Sequence, residues 1–254
     1  MERTDSRLNR LWRGAVVFAG LLLLWTLVTM SGVPRFLLPN PAAVVEALWQ
    51  NRDYLADHTL VTAMEILSGL VCGVLLGSVL ALCMVFSPRL QRWVMPMVLT
   101  SQAIPVFALA PLLVLWFGFG MSAKVVMAVL VIFFPVTSAF YDGLRRVSND
   151  YLDLARTMRA SGWAQLRHVR LMAALPAFGT GLRMAAAVAP IGAIIGEWVG
   201  SAEGLGYVMM NANARMQSDL CFAALFILIL MTIALWVAID TLLRRLISWA
   251  PDTH

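Results

Sequence analysis

Charge is what this sequence has least of. Only 13% of its 254 residues are charged, about half the share of a soluble domain, while 61% are hydrophobic and mean hydropathy is +0.81. A chain so composed keeps most of its surface out of water. That excludes a disordered protein and an ordinary soluble enzyme, and leaves a polytopic membrane protein. Lysine is nearly missing: of 19 basic residues, all but Lys124 are arginine. The arginines flank apolar runs instead of interleaving with aromatics, so the net charge of +5 reads as orientation of membrane spans and not as a nucleic-acid surface. Cysteine is scarce too. Cys72, Cys83 and Cys221 lie inside apolar runs with no Cys-x-x-Cys and no nearby histidine, which argues against a metal site or a disulfide framework. His58, His168 and His254 fall on three separate polar segments, so no shared metal site is expected. No Gly-x-x-x-x-Gly-Lys-Ser/Thr run occurs, so this chain is not expected to hydrolyse ATP by phosphate-loop chemistry, nor to bind any cofactor. No internal repeat carries paired acids at midplane, as an ion-gradient secondary transporter would.

What is present is length in apolar runs. About 20 apolar residues cross the hydrocarbon layer as a helix, and six stretches meet or approach that: 14–31, 60–86, 95–117, 121–141, 177–199 and 220–243. Arg3, Arg7, Arg10 and Arg13 before the first resemble a signal peptide, but no convincing small-x-small site follows, so an uncleaved helix is expected. Placing segments 1–13, 87–94, 142–176 and 244–254 inside collects fourteen arginines there, against Arg35, Arg52, Lys124 and Arg215 outside. That asymmetry predicts N-in/C-in topology. The expected organisation is therefore all-α: residues 1–58 with the first span and an interfacial helix, 59–245 as the core, and 246–254 as a cytoplasmic tail. The break Leu38-Pro39-Asn40-Pro41 predicts a short helix over 41–50, with Asn40 capping it and Trp49 as an interfacial anchor.

The segment 142–176 is too long for a turn and too polar for the membrane. A short helix is expected over 150–158, capped by Asn149 or Asp150. A second is expected over 163–169, capped by Ser161, with Trp163, Leu166 and Arg170 on adjacent turns. Two short amphipathic helices joined by Ser161-Gly162 make a protruding knob suited to docking a soluble partner; a solvated basic loop that merely holds topology is the alternative.

The run Asp153-Leu154-Ala155-Arg156-Thr157-Met158-Arg159-Ala160-Ser161-Gly162-Trp163, followed by Val169-Arg170-Leu171, resembles the Glu-Ala-Ala (EAA) loop of binding-protein-dependent ABC importer permeases. In that pattern Asp153, Leu154 and Ala155 occupy the Glu-Ala-Ala positions. Arg159 stands where a glycine belongs and Met172 where a proline belongs. Ile195-Gly196-Glu197-Trp198-Val199-Gly200-Ser201-Ala202-Glu203-Gly204-Leu205-Gly206-Tyr207 is similar to the end of the fifth span in the nitrate/sulfonate/taurine branch, and Leu37-Leu38-Pro39-Asn40-Pro41 to that branch's first outer loop.

The resemblance implies a type I importer fold, a homodimer of permeases in the bacterial inner membrane, a cytoplasmic ATPase docked on each EAA loop, and a periplasmic or lipid-anchored binding protein delivering solute. ATP is used by the partner, not by this chain. On the coupling loop, Asp153 and Arg156 are expected to make polar contacts, with Ala160, Trp163 and Leu166 as the apolar seat. Thr100, Ser101, Gln102 and Phe107 are the pathway candidates, with Glu197 beside them; Ser and Thr in spans also commonly only join helices. Glu65 and Arg183 are expected to pair across helices, and Glu197 and Asp240 to sit near the interface within reach of water. The amide-rich stretch 209–217 resembles permeases for the hydroxymethylpyrimidine precursor of thiamine, with taurine, alkanesulfonate or nitrate as alternatives.

Overall fold

Helix ends in this protein are set by side-chain caps and prolines, and its helix contacts by small residues. The computed structural model describes residues 5–249. The expectations on Arg3, His254 and the last five residues of the tail lie outside them. The described residues form eleven α-helices and no strand. They are α1 (Asp5–Met30), α2 (Pro41–Gln50), α3 (Arg52–Phe86), α4 (Pro88–Ser101), α5 (Val106–Phe117), α6 (Met121–Arg145), α7 (Asn149–Thr157), α8 (Gly162–Gln165), α9 (Leu171–Gly200), α10 (Leu205–Ala214) and α11 (Ser218–Leu246), with a π-helical stretch, Leu166–Arg170, between α8 and α9. Five of these elements are long and apolar enough to span a membrane; α4 with α5 makes a sixth, broken span.

The core is the packing of α3, α6 and α9. Gly69, Gly73 and Gly77 recur every fourth residue on α3, so they line one stripe of that helix. A Cβ at Gly69 would stand 2.3 Å from the Ala128 side chain, and one at Gly73 would stand 2.6 Å from Ile132. Across the bundle, a Cβ at Gly192 of α9 would lie 2.6 Å from the Ala128 backbone. Ala128 is therefore gripped from both sides. Such close backbone approach replaces the hydrophobic drive that lipid removes. Ile66, Ile132, Val136, Ala185, Ala186 and Ala189 fill the space between.

The two ends of the bundle differ. At one end Ala81, Met84, Phe140, Tyr141, Leu144, Leu166 and Ala174 join the ends of α3, α6 and α9 beneath the α7–α8 knob. At the other, Val44, Ala47, Leu55, Ile194, Leu205, Val208, Ala223 and Ala224 tie α2, α10 and α11 to the core. On α2, Asn40 caps as expected, its side chain accepting from the Ala42 N–H at 3.1 Å. Val44 and Ala47 face inward while Trp49 is 72% exposed, which suits an interfacial anchor.

Two expectations on the spans are corrected, and the first span, present as expected, stands apart from the bundle. The third span is not continuous. α4 and α5 meet at 102°, because Pro105 has no N–H to offer and Gln102 and Ala103 close a tighter turn onto Leu99 and Thr100. The fifth begins six residues earlier than expected and is continuous with the knob. The first, α1, has none of its spanning window buried in the protein; it is tied on by Trp25, whose Nε1 donates to the Pro39 carbonyl at 3.0 Å and whose ring lies 5.9 Å from that of Phe222.

Candidate functional site

The knob is built by caps. Ser148, not Asn149 or Asp150, caps α7, its Oγ accepting from the Asp150 N–H at 3.3 Å. Leu152 and Ala155 turn inward, leaving Tyr151, Leu154, Met158 and Trp163 exposed. Helix α7 ends with Arg159 in the left-handed region at φ +56°. The Ala160 N–H donates to the Ala155 carbonyl and the Arg159 N–H to the Arg156 carbonyl, both at 2.9 Å. This is the paired C-terminal turn that glycine usually supplies. The turn forms with arginine in the glycine's place, at a cost of about 1 kcal/mol for the side chain's crowding. Ser161 then caps α8, accepting from the Ala164 N–H at 3.3 Å, and Gly162 starts the next turn.

Sequence reasoning assigned Asp153 and Arg156 to polar contacts and Ala160, Trp163 and Leu166 to one apolar seat, and the structure divides that seat. Asp153 and Arg156 form an ion pair at 2.7 Å, each with side chain 64% exposed, and remain available to a partner. Leu154, Trp163 and Met158 present an apolar surface beside them. Ala160 is half-buried. Leu166 is 4% exposed and packed on Met84, Phe140 and Leu144, so it fastens the knob to the bundle and cannot enter a partner's groove. The expected second helix does not end at 169. One extra residue is taken up as a π-turn, the Leu171 N–H donating to the Leu166 carbonyl, and α9 follows directly. Met172 is the second residue of α9, which runs on past Pro176 and Pro190.

The pathway candidates also separate. Gln102 sits at the α4–α5 break and lines a concavity of about 330 Å³ with Val131, Phe134, Ser138, Met184 and Val188. Ser101 spends its hydroxyl on the Val98 carbonyl at 2.7 Å, as a helix-internal bond, and Thr100 is exposed. Phe107 is exposed, edge-on to Trp198 with ring centroids 6.5 Å apart. Glu197 belongs to none of this. It is 1% exposed, sealed inside the protein, so the expectation of a solvated or path-lining Glu197 is overturned.

Glu197 instead holds the start of α10. Its Oε1 accepts from the Thr62 hydroxyl at 2.6 Å and its Oε2 from the Gly206 N–H at 2.5 Å. His58 Nδ1 accepts from the Gly204 N–H at 2.9 Å, and the Thr62 hydroxyl oxygen from the Leu205 N–H at 2.8 Å. Three successive N–H groups at a helix start are thus satisfied by side chains of α3 and α9, because Gly204 has no cap of its own. Gly204 has φ +105°, and a Cβ there would stand 2.2 Å from the Glu197 carboxyl carbon. Only glycine fits.

The expected cross-helix pair of Glu65 and Arg183 does not form. Glu65 Oε1 takes Lys124 Nζ at 2.5 Å, and both are buried, which moves Lys124 from the outer segments into the core. Arg183 and Arg244 both donate to Asp240 at 2.7 Å, so Asp240 is a paired and largely buried residue. These pairs were legible only as isolated ionisable residues in apolar runs; no spacing linked Glu65 to Lys124 or to Glu197. Near the α10 start, Asn51, Tyr54, Tyr207, Asn211, Arg215 and Asp219 line a polar cavity of about 500 Å³, and the amide-rich stretch 209–217 is mostly helix. Among the described residues no group of three His, Cys, Asp or Glu side chains is placed to hold a metal.

Residues 73–249 match the family described as binding-protein-dependent transport system inner membrane component. The chain is 52% identical over 239 residues to a probable ABC transporter permease protein of Haemophilus influenzae, covering 94% of this chain and 98% of that one. It is 38% identical over 234 residues to the formylaminopyrimidine transport permease protein ThiX of Halalkalibacterium halodurans, covering 91% and 93%. It is 36% identical over 232 residues to the riboflavin transport system permease protein RibX of Chloroflexus aurantiacus, covering 90% and 87%.

Proposed function

The chain belongs to the inner membrane components of binding-protein-dependent transport systems, the permease subunits of ABC importers, and we propose that it carries a small planar heterocycle of the aminopyrimidine class, the thiamine precursor hydroxymethylpyrimidine foremost. As a multi-span permease of the bacterial inner membrane it is a transport component and not an enzyme, and its family works with an ATPase and a binding protein. Two relatives named for nitrogen heterocycles, a formylaminopyrimidine and riboflavin, support that solute class. The N-in/C-in orientation places the α7–α8 knob in the cytoplasm and α10 at the outer face.

The observation that carries the coupling role is the knob's exposed apolar set, Leu154, Met158 and Trp163, flanked by the Asp153–Arg156 pair and joined through the π-turn directly to α9. An apolar surface beside fixed charges suits a groove on a soluble partner. Residues 162–200 run as 39 consecutive helical residues, through the π-turn at 166–170 and past Pro176 and Pro190, about 58 Å at 1.5 Å per residue. A force applied at Trp163 is therefore delivered along one rod through the membrane. Gln102 and its concavity, lined by α6 and α9, become one half of a solute path that a second copy would complete. The homodimer is part of this reading.

The test is affinity purification of the tagged permease in mild detergent, followed by identification of the small molecule on any co-purifying binding protein. Recovery of an ATPase and an aminopyrimidine supports the reading. Recovery of taurine, an alkanesulfonate or nitrate keeps the machinery and replaces the solute. Transport that persists without any ATPase, driven by an ion gradient, overturns the coupling role.

A further inference from the structure

Three charged side chains meet where α3, α6 and α9 converge beneath α10. They are Glu65 on α3, Lys124 on α6 and Glu197 on α9. Glu65 is 0% exposed, Glu197 1% and Lys124 7%. Thr62, one turn before Glu65 on α3, holds Glu197, and Gly196 beside Glu197 packs on Lys124, which holds Glu65, so the two carboxyls are brought into one pocket and interact there. Every polar atom here has a partner except one: Glu65 Oε2 is buried with no donor. An orphaned carboxylate oxygen in the interior is costly, and one facing another carboxylate is more so. The charge count is also unbalanced. Two acids face one ammonium, and His58, accepting at Nδ1 from the Gly204 N–H, is neutral in that role. The remaining titratable neighbours, Tyr54 and Tyr207, flank the His58 ring and supply no cation.

One proton removes both defects. We propose that Glu65 and Glu197 form a proton-binding site, in which a hydrogen on Glu65 Oε2 is donated to a Glu197 oxygen. Each Glu197 oxygen has accepted one bond, from Thr62 or from Gly206, and keeps a lone pair for it. The cluster is then neutral: the shared proton leaves one negative charge against Lys124. Its consequence is mechanical. Glu197 is the outer end of the rod that begins at the knob, and it grips the first turn of α10. With the proton in place, Glu197 stays on the Gly206 N–H and α10 follows α9. Without it, two carboxylates repel across the site and the grip loosens. Glu65 is in this sense a positioning residue for α10. The inference deepens the importer reading, on which the mechanical consequence rests; the proton site itself rests on the geometry alone.

The experiment is infrared spectroscopy of the full-length permease in lipid nanodiscs at neutral pH. The wild type is expected to show a protonated-carboxyl C=O band. Glu65→Gln and Glu197→Gln are each expected to lose it, because removing either acid leaves one carboxylate balanced by Lys124. Either variant suffices if the other does not fold. A wild type with carboxylate bands only, or a band that survives both substitutions, overturns the proposal. The consequence is read in the assembled transporter. Wild-type ATPase activity stimulated by the binding protein should fall as pH rises and the proton leaves, and Glu65→Gln, whose amide donates in the proton's place, should flatten that fall. An alkaline fall of equal size in wild type and Glu65→Gln would overturn the positioning role. The band is read on the permease itself, so its result stands whether or not the ATPase partnership does.

Discussion

At the scale of single residues, small differences in what a side chain touches decide its role. Arg159 and Gly204 both occupy the left-handed region, yet they differ in tolerance. Arg159 is on an exposed turn with open space, so Arg159→Gly should relieve about 1 kcal/mol of crowding and leave docking of the ATPase unchanged. Thermal unfolding in detergent alongside a pull-down with the ATPase checks both halves. Selectivity of Arg159 for its own ATPase would show as a gained affinity for related ATPases in the glycine variant. Gly204→Ala is a different matter, since the methyl would collide with the Glu197 carboxyl. It should cost about 3 kcal/mol or more and lower the yield of folded protein, read by size-exclusion profile and melting temperature. Leu166 and Trp163, three residues apart on the knob, should separate cleanly. Leu166→Ala empties a buried position at about 2–5 kcal/mol and lowers the melting temperature. Trp163→Ala should leave the melting temperature unchanged and weaken ATPase association, as an exposed anchor would.

Elements are joined here by backbone approach more than by side-chain bulk. The α3 stripe of Gly69, Gly73 and Gly77 lets α6 come close enough for Ala128 and Ile132 to touch helix backbone. Gly73→Leu would force α3 and α6 apart, and we expect loss of the folded permease in detergent, while Gly14→Leu on α1, which meets open space, should be tolerated. Comparing the two by fluorescence-detected size exclusion tests whether packing, not apolarity, holds the bundle. The α4–α5 bend shows the complementary case. Apolar length alone suggested a single span over 95–117, and a run of apolar residues does not say where its axis turns. Pro105 and the tight turn at Gln102 decide that locally.

For the whole molecule, the two ends of the bundle do different work and one helix connects them. The knob at one end is exposed and charged; the cluster at the other is buried and polar; α9 spans between. Solution mass of the purified permease should correspond to two copies if Gln102's concavity is half of a path, and a monomer that transports would contradict that arrangement. The sequence by itself determined the membrane class, the existence of the long helices, the short helix over 41–50, the knob with its Ser161 cap, and the family. These follow from local quantities: hydropathy summed along a run, caps adjacent to the helices they start, and a motif contiguous in the chain. Only the tertiary structure decided which ionisable residues meet. Glu65 lies 59 residues from Lys124 and Arg183 lies 57 from Asp240, and each pair is closed by helix packing that no local pattern encodes. The same holds for Glu197. Its place in the sequence, near the end of an apolar run, suggested water; its place in the fold, under the first turn of α10, gives it the Gly206 N–H and the Thr62 hydroxyl to hold instead, because an unsatisfied helix start buried in protein must find its acceptors in whatever packs against it.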